Sequence, residues 1–341
     1  MASTDTAAAT PTPVAPELGN PALNATVKAG MERVETLLHQ ELAQGESFLV
    51  DKISHLALAG GKRFRVAFAL LAAQYGERPE AAAVDKAAVV VELTHLATLY
   101  HDDVMDESDR RRGADSANKR WDNSVAILAG DYLFAIASDI MAGLGTETVH
   151  HFASTFRELV TGQMRETVGV SEGEDPVQHY MTVIQEKTGV LIASAGYLGA
   201  LHAGAPEEHR QALFKFGRHM GQVFQIVDDI IDIWADPEVS GKVPGTDLRE
   251  GVLTLPVLYA MRQDDEVGAR LRELLGSGPI SSDADVEEAL SLIKRSGGRE
   301  KAHEDVEHYR ALGEQELAKL PAGEVTDALR NLMGFALKRL G

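Results

Sequence analysis

The sequence contains no cysteine, which excludes disulfide bonds and thiolate metal sites and predicts a reducing, cytoplasmic location. It also contains no uninterrupted apolar run of about eighteen residues, so we predict no transmembrane helix. Positive charge is in deficit, with 33 Lys and Arg residues against 52 Asp and Glu residues. The resulting net charge of −19 disfavours nucleic acid and anionic membranes as partners. Any anionic ligand must therefore be held by a local basic cluster.

Strand-like alternation is scarce as well, and hairpin dipeptides between apolar runs are missing. Apolar residues instead recur at helical spacing, as in "VKAGMERVETLLHQEL" and "HRQALFKFGRHMGQVFQIVDDIIDIWA". We therefore predict an all-α fold, a large helical bundle that forms a single domain over residues 22–341. Residues 1–21 are rich in Ala, Thr and Pro and lack the pattern of a secretory signal, which predicts a disordered leader.

The pattern DDxxD occurs twice, each time at the end of an apolar helical run. The aspartates are Asp102, Asp103 and Asp106 in the first copy and Asp228, Asp229 and Asp232 in the second. Residues four apart share one helix face, so each copy places like charges together at the negative end of a helix dipole. Cations between the carboxylates would offset both costs, and oxygen ligands without His or Cys favour Mg²⁺ or Mn²⁺. The competing interpretation is a pair of solvated acidic helix ends.

Basic residues are candidates for a complementary anion site. Lys62, Arg63 and Arg65 follow a glycine pair in "GGKRFR", where backbone and side-chain donors can meet an anion. The other candidates are Arg111 and Arg112 after the first acidic cluster, His95 two turns before it, and Lys187 and Thr188 in "QEKTG". Each alone has an ordinary explanation: a basic helix start, local ion pairs, a core histidine or a surface lysine. Together with two acidic clusters, they indicate a protein that binds more than one diphosphate.

Five motifs, in order, resemble the trans-isoprenyl diphosphate synthases, the polyprenyl synthetase family. They are "GGKRFR", "ELTHLATLYHDDVMDESDRRRG", "GDYLFA", "EKTGVLIASA" and "GQVFQIVDDIIDIWADPEVSGKVPGTDLREGVLTLP", and the resemblance covers residues 25–341. It implies a bundle of long helices around a deep central cavity, with the two aspartate clusters facing each other at its mouth, and a homodimer. It also implies an enzyme that joins isopentenyl diphosphate to an allylic diphosphate, either dimethylallyl, geranyl or farnesyl.

The resemblance assigns the substrate-binding residues position by position. Isopentenyl diphosphate is expected at Lys62, Arg65, His95 and Arg112. The allylic diphosphate is expected at Arg111, Lys187 and Lys242, with Thr188 and Gln225 near its reactive carbon. One departure from the family pattern is Val252, where many members have lysine. Position 252 is therefore not counted as a ligand, and we expect this change to affect affinity rather than activity.

The same resemblance assigns the metal ligands. Asp102 and Asp106 match ligands of two Mg²⁺ ions, and Asp228 matches a ligand of a third. Asp103, Asp229 and Asp232 are expected in outer or water-linked positions. Mn²⁺ is a possible substitute. Departure of the diphosphate would then leave an allylic carbocation, which the double bond of isopentenyl diphosphate attacks before a proton is lost.

Product length is expected to depend on two small residues before the first aspartate cluster. In this family the residues four and five positions before the first aspartate form a floor under the growing chain, and here these are Thr98 and Ala97. The family pattern makes Ala97 decisive, whereas an ideal helical projection places Thr98 nearer to Asp102. The first motif also lacks the two-residue insertion typical of bacterial short-chain enzymes. We predict geranylgeranyl diphosphate or a longer all-trans product, and favour a longer one.

Three alternatives remain open at this stage. A bulky residue in "GDYLFAIAS" or "TFRELVTGQM" would close the tunnel at the geranylgeranyl length. A terpene cyclase shares the fold and one aspartate motif, but the second DDxxD and "GGKRFR" argue against it. A non-catalytic partner of a true synthase generally lacks parts of the metal set, whereas both acidic clusters are complete here.

Overall fold

The computed structural model describes residues 18–234, 243–276 and 278–337, and most of these residues are helical. The helices are α1 (Pro21–Leu42), α2 (Ser47–Leu58), α3 (Phe64–Ala73), α4 (Ala82–Met105), α5 (Ala117–Arg120), α6 (Asn123–Leu144), α7 (Thr146–Val168), α8 (Pro176–Ile184), α9 (Val190–Ala203), α10 (Glu207–Trp234), α11 (Thr246–Glu250), α12 (Leu255–Met261), α13 (Glu266–Leu275), α14 (Asp283–Arg295), α15 (Gly298–Leu317) and α16 (Glu324–Leu337). A π-helical turn, Gln185–Gly189, joins α8 to α9. The strands β1 (Arg110–Arg111) and β2 (Ala114–Asp115) form a short antiparallel hairpin.

Local sequence signals explain where several helices begin. Asn20 precedes α1, and its Oδ1 accepts hydrogen bonds from the backbone N–H groups of Ala22 and Leu23 at 2.8 and 2.9 Å. Asp122 caps α6 and Asp175 caps α8 in the same way. These side chains satisfy N–H groups that have no partner inside the helix, which typically stabilises a helix by about 1 kcal/mol.

The described residues form two compact units. Unit 1 contains residues 20–149 and 198–205. Its centre is α4, which packs against α1, α3 and α6. The fully buried side chains of this core include Phe68, Leu71, Val89, Leu93 and Leu96. The apolar run that precedes the first aspartate cluster therefore lies in the core of unit 1.

Unit 2 contains the described residues of 17–19, 150–197 and 206–341. Its centre is α10, which packs against α15, α16 and the π-helical turn. Val223, Ile226 and Ile230 of α10 form one apolar cluster with Leu255 and Val306. A second cluster lies among α12, α13 and α14. The second aspartate cluster thus also follows a buried apolar helix.

Helix α6 has an unusual surface for a core helix. By length and composition alone it could cross a membrane, and it is the one such helix in the described part of the chain. One face packs along α4 within unit 1, which is the behaviour of a core helix. The other face exposes Ile127 and Leu128.

The predicted all-α fold is confirmed by these helices and by the structural relatives reported below. The hairpin of β1 and β2 was not predicted. It is too short to show strand-like alternation, so the sequence carries no periodic signal for it. The single domain over residues 22–341 stays a prediction. Of the predicted leader, residues 1–17 lie outside the described residues, and α1 begins at Pro21.

Candidate functional site

The first aspartate cluster lies at the C-terminal end of α4, in unit 1. Asp102 and Asp103 occupy the last turn, and Asp106 follows directly, with its backbone N–H donating to the carbonyl of Asp102 at 2.8 Å. Their environments differ because Asp103 is fully buried, Asp102 is half-buried and Asp106 is exposed. Only Asp102 and Asp106 therefore present carboxylate oxygens to solvent.

Asp103 points inward and binds the hairpin. The Nε of Arg111, on β1, donates to Asp103 Oδ1 at 2.6 Å, and the Arg111 guanidinium lies 4.0 Å from Asp106. Burial raises the pKa of Asp103 although Arg111 lowers it. Asp103 Oδ2 is buried and has no hydrogen-bond partner among the described residues. Arg111 therefore pairs chiefly with Asp103, and this ion pair joins β1 to the acidic cluster.

Arg112 occupies the turn between β1 and β2 and points elsewhere. Its backbone is left-handed, with φ of 52°, and the next residue, Gly113, has φ of 80°. Its Nη1 donates to the carbonyls of Gly60 and Leu56 at 2.5 and 3.2 Å. Burial lowers the pKa of Arg112, and the nearby carboxylate of Glu92 opposes this shift. The two adjacent arginines therefore contact different parts of unit 1: Arg111 contacts the aspartate cluster, and Arg112 contacts the turn at Gly60.

The turn between α2 and α3 carries the remaining basic residues of unit 1. Lys62 is exposed, Arg63 is buried and Arg65 is half-buried. Burial lowers the pKa of Arg65 to about 10, against an opposing effect of Glu92. The Nε of Arg65 is buried without a hydrogen-bond partner in the described part of the chain. Arg65 is therefore a cation whose donors are incompletely satisfied by the protein itself.

His95 lies on α4 beside these arginines. Burial lowers its pKa well below the ordinary 6.5, and Arg65, Arg112 and Arg63 lower it further. Its imidazole is therefore neutral at pH 7, with one nitrogen that donates and one that accepts. Unit 1 thus brings three of the four residues predicted to bind isopentenyl diphosphate into one electrostatic neighbourhood, with Lys62 in the adjacent turn.

In unit 2, Lys187 and Thr188 lie in the π-helical turn. Glycines of two neighbouring helices let the turn pack closely. A Cβ on Gly162 of α7 would lie 2.6 Å from the backbone nitrogen of Lys187, and a Cβ on Gly221 of α10 would lie 2.5 Å from the Cα of Gly189. The Lys187 ammonium forms an ion pair with Glu166. π-Helical turns are frequent at functional sites.

A chain of partly buried hydrogen bonds links Thr188 to the second aspartate cluster. The Thr188 hydroxyl donates to Gln225 Oε1 at 3.3 Å, and Gln225 Nε2 donates to Asp229 Oδ1 at 3.0 Å. The Tyr180 hydroxyl donates to the other oxygen of Asp229. Asp229 is buried, and burial raises its pKa although the bonds from Tyr180 and Gln225 lower it. Asp229 therefore holds the side chains of Tyr180 and Gln225 in place. Asp228, in contrast, is only half-buried.

Asp232 lies near the end of α10 and caps the short helix α11. Its carboxylate accepts the backbone N–H groups of Thr246 and Asp247, both at 3.3 Å. The turn before α11 contains Gly245, whose φ of 78° favours glycine. Val252, where many family members have lysine, is exposed. Lys242 lies outside the described residues, so its predicted contact with the allylic diphosphate stays a prediction.

The sequence did not indicate the residues that hold Arg63 and Asp229 in place. Arg63 was considered an anion donor, but its guanidinium is bound by Glu35 and Glu92. Tyr180 was not considered. A glutamate within the apolar run "VVVELTH" was the available signal for Glu92. For Glu35 and Tyr180 the partners are 28 and 49 residues away, so no local pattern marks them.

Comparison with known proteins identifies the family. The sequence matches the polyprenyl synthetase family over residues 46–293. Nonaprenyl diphosphate synthase from Mycobacterium tuberculosis is 51% identical over 325 residues, which cover 95% of this chain and 97% of that protein. Dimethylallyltranstransferase from the same organism is 44% identical and covers 94% and 97%.

A solved structure agrees. Geranylgeranyl pyrophosphate synthase from Corynebacterium glutamicum, complexed with calcium and isoprenyl diphosphate, is 59% identical with a TM-score of 0.86, over 95% of this chain and 99% of that one. The predicted class of enzyme, a polyprenyl diphosphate synthase, is confirmed. This chain therefore belongs to the polyprenyl synthetase family of trans-prenyltransferases.

Proposed function

We propose that this chain condenses isopentenyl diphosphate with an allylic diphosphate, and that unit 1 holds isopentenyl diphosphate through Lys62, Arg65, His95 and Arg112. The observation that carries this proposal is the half-buried Arg65, whose buried Nε has no hydrogen-bond partner among the described residues and whose pKa is lowered to about 10 by burial. Such a cation is stabilised by an anionic ligand that restores both charge balance and hydrogen bonds. Neutral His95 offers one further donor without adding charge.

For the allylic diphosphate, the proposed residues are Arg111, Lys187 and Lys242, with Thr188 and Gln225 near the reactive carbon. The support comes from the hydrogen bonds of Gln225. Because its amide nitrogen donates to Asp229, its carbonyl oxygen is directed towards the Thr188 hydroxyl. Oxygen atoms held in this way can stabilise positive charge that develops on a nearby carbon, since they need no reorientation during the reaction.

Mg²⁺ is the proposed metal, with as many as three ions and Mn²⁺ as a substitute. In the described residues, no group of three or more His, Asp and Glu side chains has a metal-binding arrangement. This fits Mg²⁺, which usually takes one or two protein carboxylates together with water and substrate phosphate oxygens. Asp102 and Asp106 would hold two ions and Asp228 the third. The metal would supply Lewis-acid stabilisation of the leaving diphosphate.

The reaction needs no protein nucleophile. The bond between the allylic carbon and the diphosphate oxygen breaks, and the electron pair leaves with the diphosphate. The double bond of isopentenyl diphosphate then forms the new carbon–carbon bond, and a proton is lost to the departed diphosphate. The side chains of this chain bind and orient both substrates and keep Gln225 and Thr188 beside the electron-poor carbon. Apolar helix surfaces exclude water, which would otherwise capture the cation.

The proposed product length follows from the size of two side chains on α4. Thr98 is half-buried, and its hydroxyl donates to the carbonyl of His95 at 2.8 Å, whereas Ala97 is fully buried. Neither side chain is large enough to block a chain that extends along α4. We therefore propose a geranylgeranyl or longer product. The relatives differ in this respect, since one is a nonaprenyl and another a geranylgeranyl diphosphate synthase. Phe134 of α6, 5.8 Å from the His101 ring, is the kind of bulky residue that would favour the shorter product.

A homodimer is proposed for the assembly. The exposed Ile127 and Leu128 on α6 give an apolar surface that a second copy would bury. A requirement for a different subunit is the alternative, because one relative, from Geobacillus stearothermophilus at 38% identity, is heptaprenyl diphosphate synthase component 2. Activity of the purified chain alone distinguishes the two. A cytoplasmic location stays a prediction from the composition.

The test is an assay of the purified chain with isotope-labelled isopentenyl diphosphate, Mg²⁺ and each of the three allylic primers. We expect labelled prenyl diphosphates to form, and we expect none to form when EDTA is present. Asp102→Asn should lower turnover by at least a hundredfold with an unchanged helical circular dichroism spectrum. Asp109→Asn, an exposed acid paired with Lys119, is the matched control and should retain activity. No elongation of any primer by the wild type would refute the proposed function.

A further inference from the structure

Arg63 stands between Lys62 and Arg65 in sequence but has a different environment. It is buried, and its guanidinium donates four hydrogen bonds to the protein. Two go to Glu35 at 2.8 Å each, one to Glu92 at 2.7 Å and one to the carbonyl of Ala57 at 3.1 Å. Few donors remain for a substrate. Arg63 is therefore not a direct ligand of a diphosphate.

We infer that Arg63 is a positioning residue, which clamps the turn of residues 60–65 between α1 and α4 and thereby sets Lys62 and Arg65 for isopentenyl diphosphate. This inference rests on the proposed function of that site. Glu35 belongs to α1 and Glu92 to α4, so the two carboxylates fix Arg63 from two helices of unit 1.

The backbone shows why a clamp is needed. Arg63 adopts a left-handed conformation, with φ of 46° and ψ of 36°, directly before α3. A residue with a side chain is strained in this conformation, because its Cβ comes too close to the following carbonyl oxygen. Without the carboxylates, relaxation towards negative φ would turn Lys62 relative to Arg65. Charge-assisted hydrogen bonds to a forked guanidinium are strong enough to oppose this relaxation.

Glu92 connects the clamp to the other residues of the site. Its Oε1 accepts from Arg63 and lies 3.9 Å from Arg112 Nη2, while Arg112 Nη1 donates to the carbonyl of Gly60 in the same turn. The turn is thus held from the side of Arg63 and from the side of Arg112. Loss of either contact should displace ligands of the same diphosphate and leave unit 2 unchanged.

The experiment compares Arg63→Lys with Arg33→Lys. Lysine keeps the charge but cannot form a two-pronged contact. Arg33 is the matched control, since its Nε and Nη2 donate to Asp85 at 2.9 and 3.3 Å and it also joins α1 to α4. We expect Arg63→Lys to raise the KM for isopentenyl diphosphate about tenfold, which corresponds to about 1.4 kcal/mol. The KM for the allylic substrate and kcat should stay near the wild-type values, and Arg33→Lys should leave all three constants unchanged.

Arg63→Gly separates the side chain from the backbone. Glycine adopts positive φ without strain, so wild-type kinetics would mean that only the backbone conformation matters and would overturn the inference. We expect a KM for isopentenyl diphosphate at least as high as in Arg63→Lys. Equal increases in both KM values for Arg63→Lys, with a lower Tm, would also overturn it, because they indicate general loosening.

Calorimetric titration with isopentenyl diphosphate covers the case in which Arg63→Gly does not fold. Weaker binding by Arg63→Lys than by Arg33→Lys supports the clamp, and equal affinity refutes it. A wild-type chain that binds no isopentenyl diphosphate refutes the proposed function of the site instead.

Discussion

His95 should make the stability of this enzyme depend on pH in a way that one substitution removes. Burial and four nearby arginines lower the pKa of His95 and keep its imidazole neutral in the folded chain, whereas in the unfolded chain it titrates near the ordinary pKa of 6.5. Below pH 6.5 the unfolded state therefore binds one more proton than the folded state, and stability falls as pH falls. At pH 5.5, one unit below the unfolded pKa, this linkage costs about 1.4 kcal/mol if His95 remains neutral when folded.

The assay is urea unfolding of the wild type and of His95→Gln at pH 7.5 and 5.5. Glutamine is neutral at both values, so the variant should lose about 1.4 kcal/mol less than the wild type between them. His150→Gln, on an exposed part of α7, is the control for the substitution and should follow the wild type. The same loss of stability in the wild type and in His95→Gln would show that His95 is not held neutral and would refute this reasoning.

Three further predictions follow from the same structure. Arg65→Ala should raise mainly the KM for isopentenyl diphosphate, and Lys187→Ala should raise mainly the KM for the allylic substrate. The measurement is steady-state kinetics with each substrate varied in turn, and equal effects of the two variants on both KM values would contradict this prediction. Thr98→Phe and Ala97→Phe should both shorten the product, as judged by chromatography after dephosphorylation, but the fully buried Ala97 should also lose about 1–3 kcal/mol of stability by overpacking. Gly199→Ala should lower Tm, because a Cβ there would overlap the backbone of α3, and an unchanged Tm would contradict the close helix contact.

The end of the first acidic helix could be predicted because apolar periodicity stops where the aspartates begin. Helix α4 ends at Met105, next to the last aspartate of its DDxxD motif. Which aspartate turns inward could not be predicted. Asp103 is turned by Arg111 of a hairpin that has no periodic signal, and Asp229 is held by Tyr180, 49 residues earlier. Such pairings depend on tertiary packing, which a single sequence does not encode in local spacing.

The turn at residues 60–65 shows the same limit in another form. Its glycine pair and basic residues could be read as an anion site, and Lys62 and Arg65 fit that interpretation. The local pattern did not distinguish Arg63 from its neighbours, although the family resemblance did not count it as a ligand, because its different role comes from Glu35 and Glu92 on two other helices. A buried charge among valines was the one local indication that Glu92 had a partner.

The π-helical turn at Gln185–Gly189 changes the phase of the helix that contains it. Each turn of this kind adds one residue to the ordinary repeat, so side chains before and after it are rotated by about 100° relative to an uninterrupted α-helix. The faces of α8 and α9 are therefore set independently, although the two helices are continuous in sequence. Deleting a single residue within this turn would restore the ordinary repeat and turn every side chain of α9 away from its present neighbours. Homologues should consequently keep the length of this segment unchanged.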